Sequence, residues 1–166
     1  MESTTPRVRI VSVSDDPERL PIIPVLFREY ADELGIDLTF QGFEEELTQL
    51  PGEYQPPLGV LLLALVDDAP AGCCGLRPIR DVDYPNAAEM KRLYVRKAFR
   101  GFGLGRELAE TALEAARHLN YACVLLDTLD DMQAARALYT ELGFEEILPY
   151  YHNPIPGAHY LKAELD

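Results

Sequence analysis

A strand, a glycine-rich turn and a helix follow one another directly in the middle of this chain of 166 residues. The segment Glu89–Glu107 reads EMKRLYVRKAFRGFGLGRE, and its first part, Glu89–Val95, has the alternation of a strand. The turn Gly101–Gly105 comes next, and apolar residues then recur every three or four positions over Leu104–Leu119, which predicts a helix. This order places a helix N-terminus just after a strand, where glycines let the backbone approach a ligand closely.

The turn is suited to holding an anion. The first N–H groups of a helix lack partners within it and carry partial positive charge, and Arg100 and Arg106 add cationic side chains. A P-loop needs Lys and Ser or Thr after its last glycine, but Arg106 and Glu107 stand there. A dinucleotide fingerprint starting at Gly101 needs a small residue where Arg106 stands. The turn therefore predicts a phosphate site of another kind.

Length and charge limit the class of protein. We expect residues 1–166 to form one domain, because this length can bury a sizeable core. The 28 acidic and 15 basic residues give a net charge of −13, which argues against non-specific nucleic-acid binding. The acidity either favours a cationic partner such as an amine or serves solubility. With no apolar run of about 20 residues and a polar Met1–Val8, we expect a cytoplasmic protein without a membrane anchor.

The cysteines and histidines predict no metal site. Cys73 and Cys74 are adjacent rather than spaced as Cys-x-x-Cys, and the histidines show no ligand spacing. These two cysteines and Cys123 lie in apolar, strand-like segments, so we expect buried free thiols.

The periodicity along the chain predicts one strand, two helices, three strands, a helix, a strand, a helix and two strands. The strands are Arg7–Val13, Leu58–Val66, Ala71–Leu76, Glu89–Val95, Tyr121–Asp127, Phe144–Leu148 and Ala158–Leu165. The helices are Leu20–Leu34, Gly42–Leu50, Leu104–Leu119 and Met132–Leu142, with Asp130 or Asp131 as N-cap of the last. The fold class is α/β, a mixed sheet of about seven strands flanked by about four helices.

Two motifs resemble those of the GNAT superfamily of N-acetyltransferases. Arg-x-x-Gly-x-Gly, here Arg100, Gly103 and Gly105, resembles its acetyl-CoA signature. The second motif, Ala-x-x-Leu-Tyr-x-x-x-Gly-Phe, comprises Ala135, Leu138, Tyr139, Gly143 and Phe144. The resemblance implies that the turn binds the coenzyme A pyrophosphate and that the preceding strand holds the pantetheine through its backbone. The implied cofactor-binding residues are Leu93, Tyr94, Val95, Arg100, Gly101, Phe102, Gly103, Leu104, Gly105 and Arg106.

The resemblance also implies an activity. We expect an acetyl-CoA-dependent N-acetyltransferase that acts on a primary amine of a small molecule by direct attack in a ternary complex. The alternatives are a non-catalytic acyl-CoA-binding regulatory module and acetylation of a protein or peptide amine. Proteins that resemble this one commonly dimerise, so a homodimer stays open.

Three residues are candidates for the chemistry. Tyr139 occupies the family position beside the coenzyme A sulfur, and a phenol that is protonated at neutral pH can act as general acid. Its alternative role is packing, with the hydroxyl bonded to the backbone. For the base, the choice lies between Glu89, which we favour, Asp127 and an ordered water. Glu89 could instead pair with Lys91 or another cation, and Asp127 could cap a loop.

The sequence departs from the family pattern at one position, where Met132 replaces the usual asparagine. Lys91 and Arg92 are expected to pair with the acidic surface rather than to steer phosphates. Selection of the acceptor is expected from the first helices, from the Tyr84-Pro85 connection and from the loop Pro149–Asn153.

Overall fold

The computed structural model describes residues 5–35, 37–130 and 132–165, with the Phe40 side chain left out of the description. These residues contain seven strands and four α-helices in the predicted order. The strands are β1 Val8–Ser12, β2 Val60–Val66, β3 Ala69–Ile79, β4 Ala87–Val95, β5 Cys123–Leu129, β6 Glu145–Ile147 and β7 Ala158–Glu164. The helices are α1 Ile22–Leu34, α2 Phe43–Gln49, α3 Leu104–His118 and α4 Gln133–Glu141.

The strands form one mixed sheet in the order β1-β2-β3-β4-β5-β7-β6. Every neighbouring pair is antiparallel except β4 and β5, which run parallel. A parallel pair needs a long crossover, and α3 supplies it between these two strands. The predicted fold class is therefore confirmed.

Helices cover both faces of the sheet. On one face α1 and α2 pack against it through residues such as Phe27 and Leu47. On the other face α3 and α4 contribute Leu108 and Tyr139. Burial on both faces explains why β2 is a continuous apolar run rather than an alternating strand. Within the described residues, no helix is both long enough and apolar enough to cross a membrane.

The central helix α3 begins immediately after Gly103, and half of its buried residues are alanines. Ala109, Ala112 and Ala116 are fully buried, which lets the helix lie close to the sheet. Its contacts with β3 and β4 fix the position of its N-terminus at the end of β4. The first helix, α1, tolerates Pro24 in its first turn, because proline lacks a backbone N–H and an N–H at that position would have no helical acceptor. The helix ends at Gly35, which has a φ of 66°.

Several predicted boundaries shift by a residue or two, and three differences affect the site. The strand predicted to end at Leu76, β3, runs to Ile79, so it includes Arg77, and its pairing with β4 is what extends it. β5 runs to Leu129, so Asp127 lies inside the strand instead of at its end. Asp130 does not cap α4, because β5 and the following turn place Met132 at the N-cap position without a side-chain hydrogen bond. Asp131 lies outside the described residues.

Candidate active site

The two parallel strands diverge in the middle of the sheet. Pairing between β4 and β5 ends at Glu89 and Leu125, although β4 continues to Val95 and β5 to Leu129. On its other edge β4 bulges, because its register with β3 shifts near Arg92, which has a left-handed φ of 61°. In the described structure the β5-facing backbone groups of residues 90–95 therefore lack a strand partner. They form one wall of a gap that opens toward the start of α3.

The glycine turn has the geometry expected of an anion site. Gly101 and Gly103 have φ of 98° and 75°, in the left-handed region that glycine adopts without strain. Space beyond both is open, since a Cβ there would meet nothing within 4 Å. The first helical bond of α3 runs from the Glu107 N–H to the Gly103 carbonyl at 3.1 Å. The preceding N–H groups, those of residues 104–106, donate to no acceptor among the described residues, so a phosphate would fit them.

The two arginines beside this turn already carry carboxylates. Arg100 pairs with Glu33 at the end of α1, and its Nε donates to the Val95 carbonyl oxygen at 3.0 Å. Arg106 pairs with Glu110 and Glu141. Both arginine side chains are 44% exposed, so a phosphate could reach them. Backbone N–H groups are consequently the donors that the fold itself leaves free, and the arginines add a partly neutralised positive field.

Tyr139 of α4 reaches the cleft between the diverging strands. The residue is 6% exposed, and its ring packs edge-on against Phe144 at 5.6 Å between centroids. Its hydroxyl has no hydrogen-bond partner among the described residues. The alternative role, packing with the hydroxyl bonded to the backbone, predicted such a partner. Leu93 and Asp127 line the same cleft. Burial raises the pKa of Tyr139, so the phenol stays protonated through the neutral range.

Asp127 lines this cleft, and only one of its carboxylate oxygens is hydrogen-bonded by the described residues. Its Oδ2 accepts hydrogen bonds from the Tyr151 hydroxyl and, at 3.0 Å, from the Asn153 side-chain amide. Its Oδ1 accepts none from the described residues. The predicted acceptor loop 149–153 thus holds the carboxylate from one side and leaves the other side open.

Glu89 lies in different surroundings. The residue is 1% exposed, and Arg77 donates to its Oε1 from Nε at 3.0 Å and from Nη2 at 2.9 Å. The Tyr150 hydroxyl donates to Oε2 at 2.7 Å. Burial raises the pKa of Glu89, but the positive charges of Lys91 and Arg77 outweigh it and lower that pKa below its usual value. Glu89 lines a neighbouring cavity with Arg77 and Tyr150, so the structure brings Tyr139 and Asp127 together and separates Glu89 from them.

The expected surface role of Lys91 and Arg92 is wrong. They are only 7% and 4% exposed, because the segment that contains Gln41 and α2 covers this part of β4. Arg92 forms a two-fold ion pair with Glu46 and lies 5.2 Å from the centre of the Phe43 ring. These partners are about fifty residues away in the chain, so no local pattern indicated them.

Gln41 links the groups around the cleft and was not identified from the sequence. Its Oε1 accepts from Lys91 Nζ at 3.2 Å and from Arg92 Nη1 at 2.7 Å. Its amide donates to the Tyr151 hydroxyl at 3.1 Å, and Tyr151 in turn donates to Asp127. This chain of hydrogen bonds fixes the relative positions of Lys91 and Asp127.

Met132 and Tyr30 complete the lining of the cleft. Met132 stands at the position of the usual asparagine, and its sulfur lies 3.7 Å from the Thr128 hydroxyl oxygen.

The cysteines are free and buried, as predicted. Burial raises the pKa of each thiol, so none is activated as a nucleophile.

Comparison with known proteins agrees with this architecture. The sequence model of the acetyltransferase (GNAT) family matches residues 24–144. An uncharacterized N-acetyltransferase from Schizosaccharomyces pombe is 40% identical over 150 residues, which cover 90% of each chain. N-acetylaspartate synthetase from Rattus norvegicus is 32% identical over 110 residues, 66% of this chain and 36% of that protein.

Among solved structures, a Salmonella typhimurium protein determined with its cofactor acetyl-CoA has the same fold. The TM-score is 0.71 at 16% identity, and the match covers 98% of this chain and 95% of that one. The two motifs, the diverging strands and the family match agree with one another, and acetyltransferases of this family use acetyl-CoA as co-substrate. The chain is a member of the GNAT family of N-acetyltransferases.

Proposed function

We propose that this protein transfers the acetyl group of acetyl-CoA to the primary amine of a small molecule, by direct attack within a ternary complex. One observation supports this most strongly. The gap between β4 and β5 begins where their pairing ends, and the cleft there is lined by both Tyr139, whose hydroxyl has no partner among the described residues, and Asp127. Bound acetyl-CoA would supply the acetyl group, its C–S bond breaking as the C–N bond to the amine forms.

The coenzyme would be held mainly by main-chain donors. The N–H groups of Gly103, Leu104, Gly105 and Arg106 would bind the pyrophosphate, with the helix dipole adding partial positive charge. Gly101 and Phe102 form the entry to this turn, and Arg100 contributes charge from its flank. The unpaired edge of β4 at Leu93–Val95 would bind the pantetheine arm, and a backbone N–H there would polarise the thioester carbonyl.

Asp127 is the base that the geometry favours. An amine acceptor enters as an ammonium and must lose a proton before it can attack. Asp127 lines the cleft and its Oδ1 has no donor among the described residues, whereas both oxygens of Glu89 are already hydrogen-bonded by Arg77 and Tyr150. Glu89 remains the alternative base, acting through water from the neighbouring cavity.

Tyr139 would act as the general acid and donate a proton to the departing sulfur. Its raised pKa keeps the hydroxyl protonated, and its lack of a hydrogen-bond partner leaves that hydrogen available. The acceptor nitrogen loses two protons, one before attack and one as the amide forms. Tyr139 gives one proton to the thiolate, which leaves coenzyme A as a thiol, and the phenol is reprotonated from solvent, so one proton is released overall.

Two features support a small molecule over a protein or peptide amine. Tyr30, Gln41 and Asn153 line the cleft, and on the acceptor side they would limit the room for an extended chain. N-acetylaspartate synthetase, one of the relatives, is named for a small-molecule product. The free hydroxyl of Tyr139 favours catalysis over a non-catalytic regulatory module.

The proposal is tested by acetyl transfer. The purified protein is incubated with acetyl-CoA and a panel of small amines, and thiol release is followed together with the mass of the acetylated product. We expect turnover with a subset of small amines and none with peptide N-termini. Tight binding of acetyl-CoA with no transfer to any amine would favour the regulatory module instead.

A further inference from the structure

The cleft contains two opposite charges that have no ion-pair partner among the described residues. Lys91 is 7% exposed, and the one hydrogen bond of its Nζ there is to the neutral Gln41 side chain. The adjacent cations, half-buried Arg77 and buried Arg92, each pair with a carboxylate of their own, Glu89 and Glu46. Burying an unpaired ammonium is costly, so this position is poorly suited to stability alone.

The acid–base properties of Lys91 agree with this geometry. Burial of the ammonium lowers its pKa, and the attraction of Glu89 and Asp127 reduces that effect without forming an ion pair. An ammonium has three donor hydrogens, and Gln41 accepts only one of them. Two therefore remain for a ligand in the cleft that Lys91 lines.

Asp127 provides the complementary half. Asp127 lines the same cleft as Lys91, and its Oδ1 accepts no hydrogen bond from the described residues, so one bound molecule could meet both a negative and a positive group. The chain of hydrogen bonds from Lys91 through Gln41 and Tyr151 to Asp127 holds the two at a fixed separation. A preorganised pair of opposite charges is complementary to a zwitterion rather than to a simple amine.

We propose that the acceptor is an amino acid or a closely similar zwitterionic amine, whose carboxylate binds Lys91 and whose ammonium binds Asp127 Oδ1. This inference deepens the proposed function and rests on it for the location of the acceptor. Gln41 is the positioning residue that orients the Lys91 ammonium. The ammonium of the acceptor is then placed at the group proposed to take its proton, so recognition of the carboxylate aligns the nucleophile.

The test is equilibrium binding, which needs no turnover. L-amino acids and their carboxamides, which lack the carboxylate charge, are titrated by calorimetry into protein saturated with coenzyme A. We expect at least one amino acid to bind about 10- to 100-fold more tightly than its carboxamide, the range for a hydrogen bond to a charged group. Lys91→Met should abolish that preference, because it weakens the binding of the amino acid and not that of the carboxamide. Lys91→Arg should restore part of the preference.

Lys162→Met is the matched control, because Lys162 pairs with Glu164 on β7 and lines neither cavity that Lys91 lines. It should leave the preference unchanged. Equal binding of amino acids and carboxamides to the unmodified protein would overturn the inference, and that comparison does not depend on any variant folding. Amino acids that bind but are not acetylated would reject the proposed function and leave the inference about recognition intact. Rapid acetylation of carboxylate-free amines that Lys91→Met leaves unchanged would reject the inference alone.

Discussion

Glu89 and Leu125 form the last backbone pair between β4 and β5, and the strands separate beyond them. The separation places Leu93 on one wall of the gap and Asp127 on the other, with Tyr139 of α4 lining the same cleft. A coenzyme that lies along β4 would therefore bring its thioester between a backbone edge and two polar side chains. The positions of the residues that are proposed to carry out the chemistry thus depend on where the pairing of β4 with β5 ends.

Replacing Tyr139 by Phe tests the proposed acid. The change removes one hydroxyl that bonds to no described residue, so we expect the fold and acetyl-CoA affinity to be retained while kcat falls about 100-fold. Steady-state kinetics and calorimetry with acetyl-CoA measure the two quantities. Tyr121→Phe is the matched control, because the Tyr121 hydroxyl donates to the Leu58 carbonyl away from the cleft. It should cost about 1 kcal/mol of stability and leave kcat unchanged. Unchanged turnover in Tyr139→Phe would remove this residue from the mechanism.

The pH dependence of kcat/KM separates the two candidate bases. The folded pKa of Glu89 is lowered from 4.5, so any limb that Glu89 causes must lie below that value. We expect Asp127→Asn to lower kcat/KM by about 100-fold and to lose the acidic limb, and Glu89→Gln to keep it. The reverse pattern would make Glu89 the base. Retention of the limb in both variants would assign proton removal to water.

The left-handed glycines of the turn can be tested one at a time. Gly103→Ala forces a side chain into φ of 75°, which costs roughly 1–2 kcal/mol, and the backbone can relieve that strain by turning its N–H groups away. We expect the Kd for acetyl-CoA to rise about 10-fold. Gly52→Ala imposes similar strain at φ of 49° in a segment remote from the turn. It should lower stability while the Kd stays the same, and an equal rise in Kd for both variants would contradict a specific role for the turn.

Much of the fold could be predicted because its signals are local. The run of β2, the spacing of α3 and the glycines at 101–105 each depend on neighbouring residues alone. The order of elements and the turn at 101–105, which is proposed to bind phosphate, were predicted from these patterns. The resemblance added the role expected for Tyr139.

The acceptor side of the site could not be predicted in the same way. The burial of Lys91 depends on Gln41, fifty residues earlier. The orientation of the Asp127 carboxylate depends on a hydrogen bond from Asn153, 26 residues later. A Lys-Arg pair on a strand looks like a surface feature until the covering segment is known. The sequence left open that Glu89 pairs with a cation but did not identify Arg77, because β3 extends further than its apolar run and carries Arg77 opposite Glu89.

The buried pair of Glu89 and Arg77 predicts how stability depends on pH. Since the folded pKa of Glu89 lies below its unfolded value, the pair contributes stability that is fully present above the unfolded pKa and is lost as pH falls through the folded pKa. We expect Glu89→Gln to lower the free energy of unfolding by roughly 1–3 kcal/mol at about pH 7, and by less at about pH 4. Urea unfolding at both pH values measures this. Glu44→Gln, which removes an exposed pair with Arg28, should show a smaller change. A loss for Glu89→Gln that is the same at both pH values would mean that its carboxylate charge contributes nothing to folding.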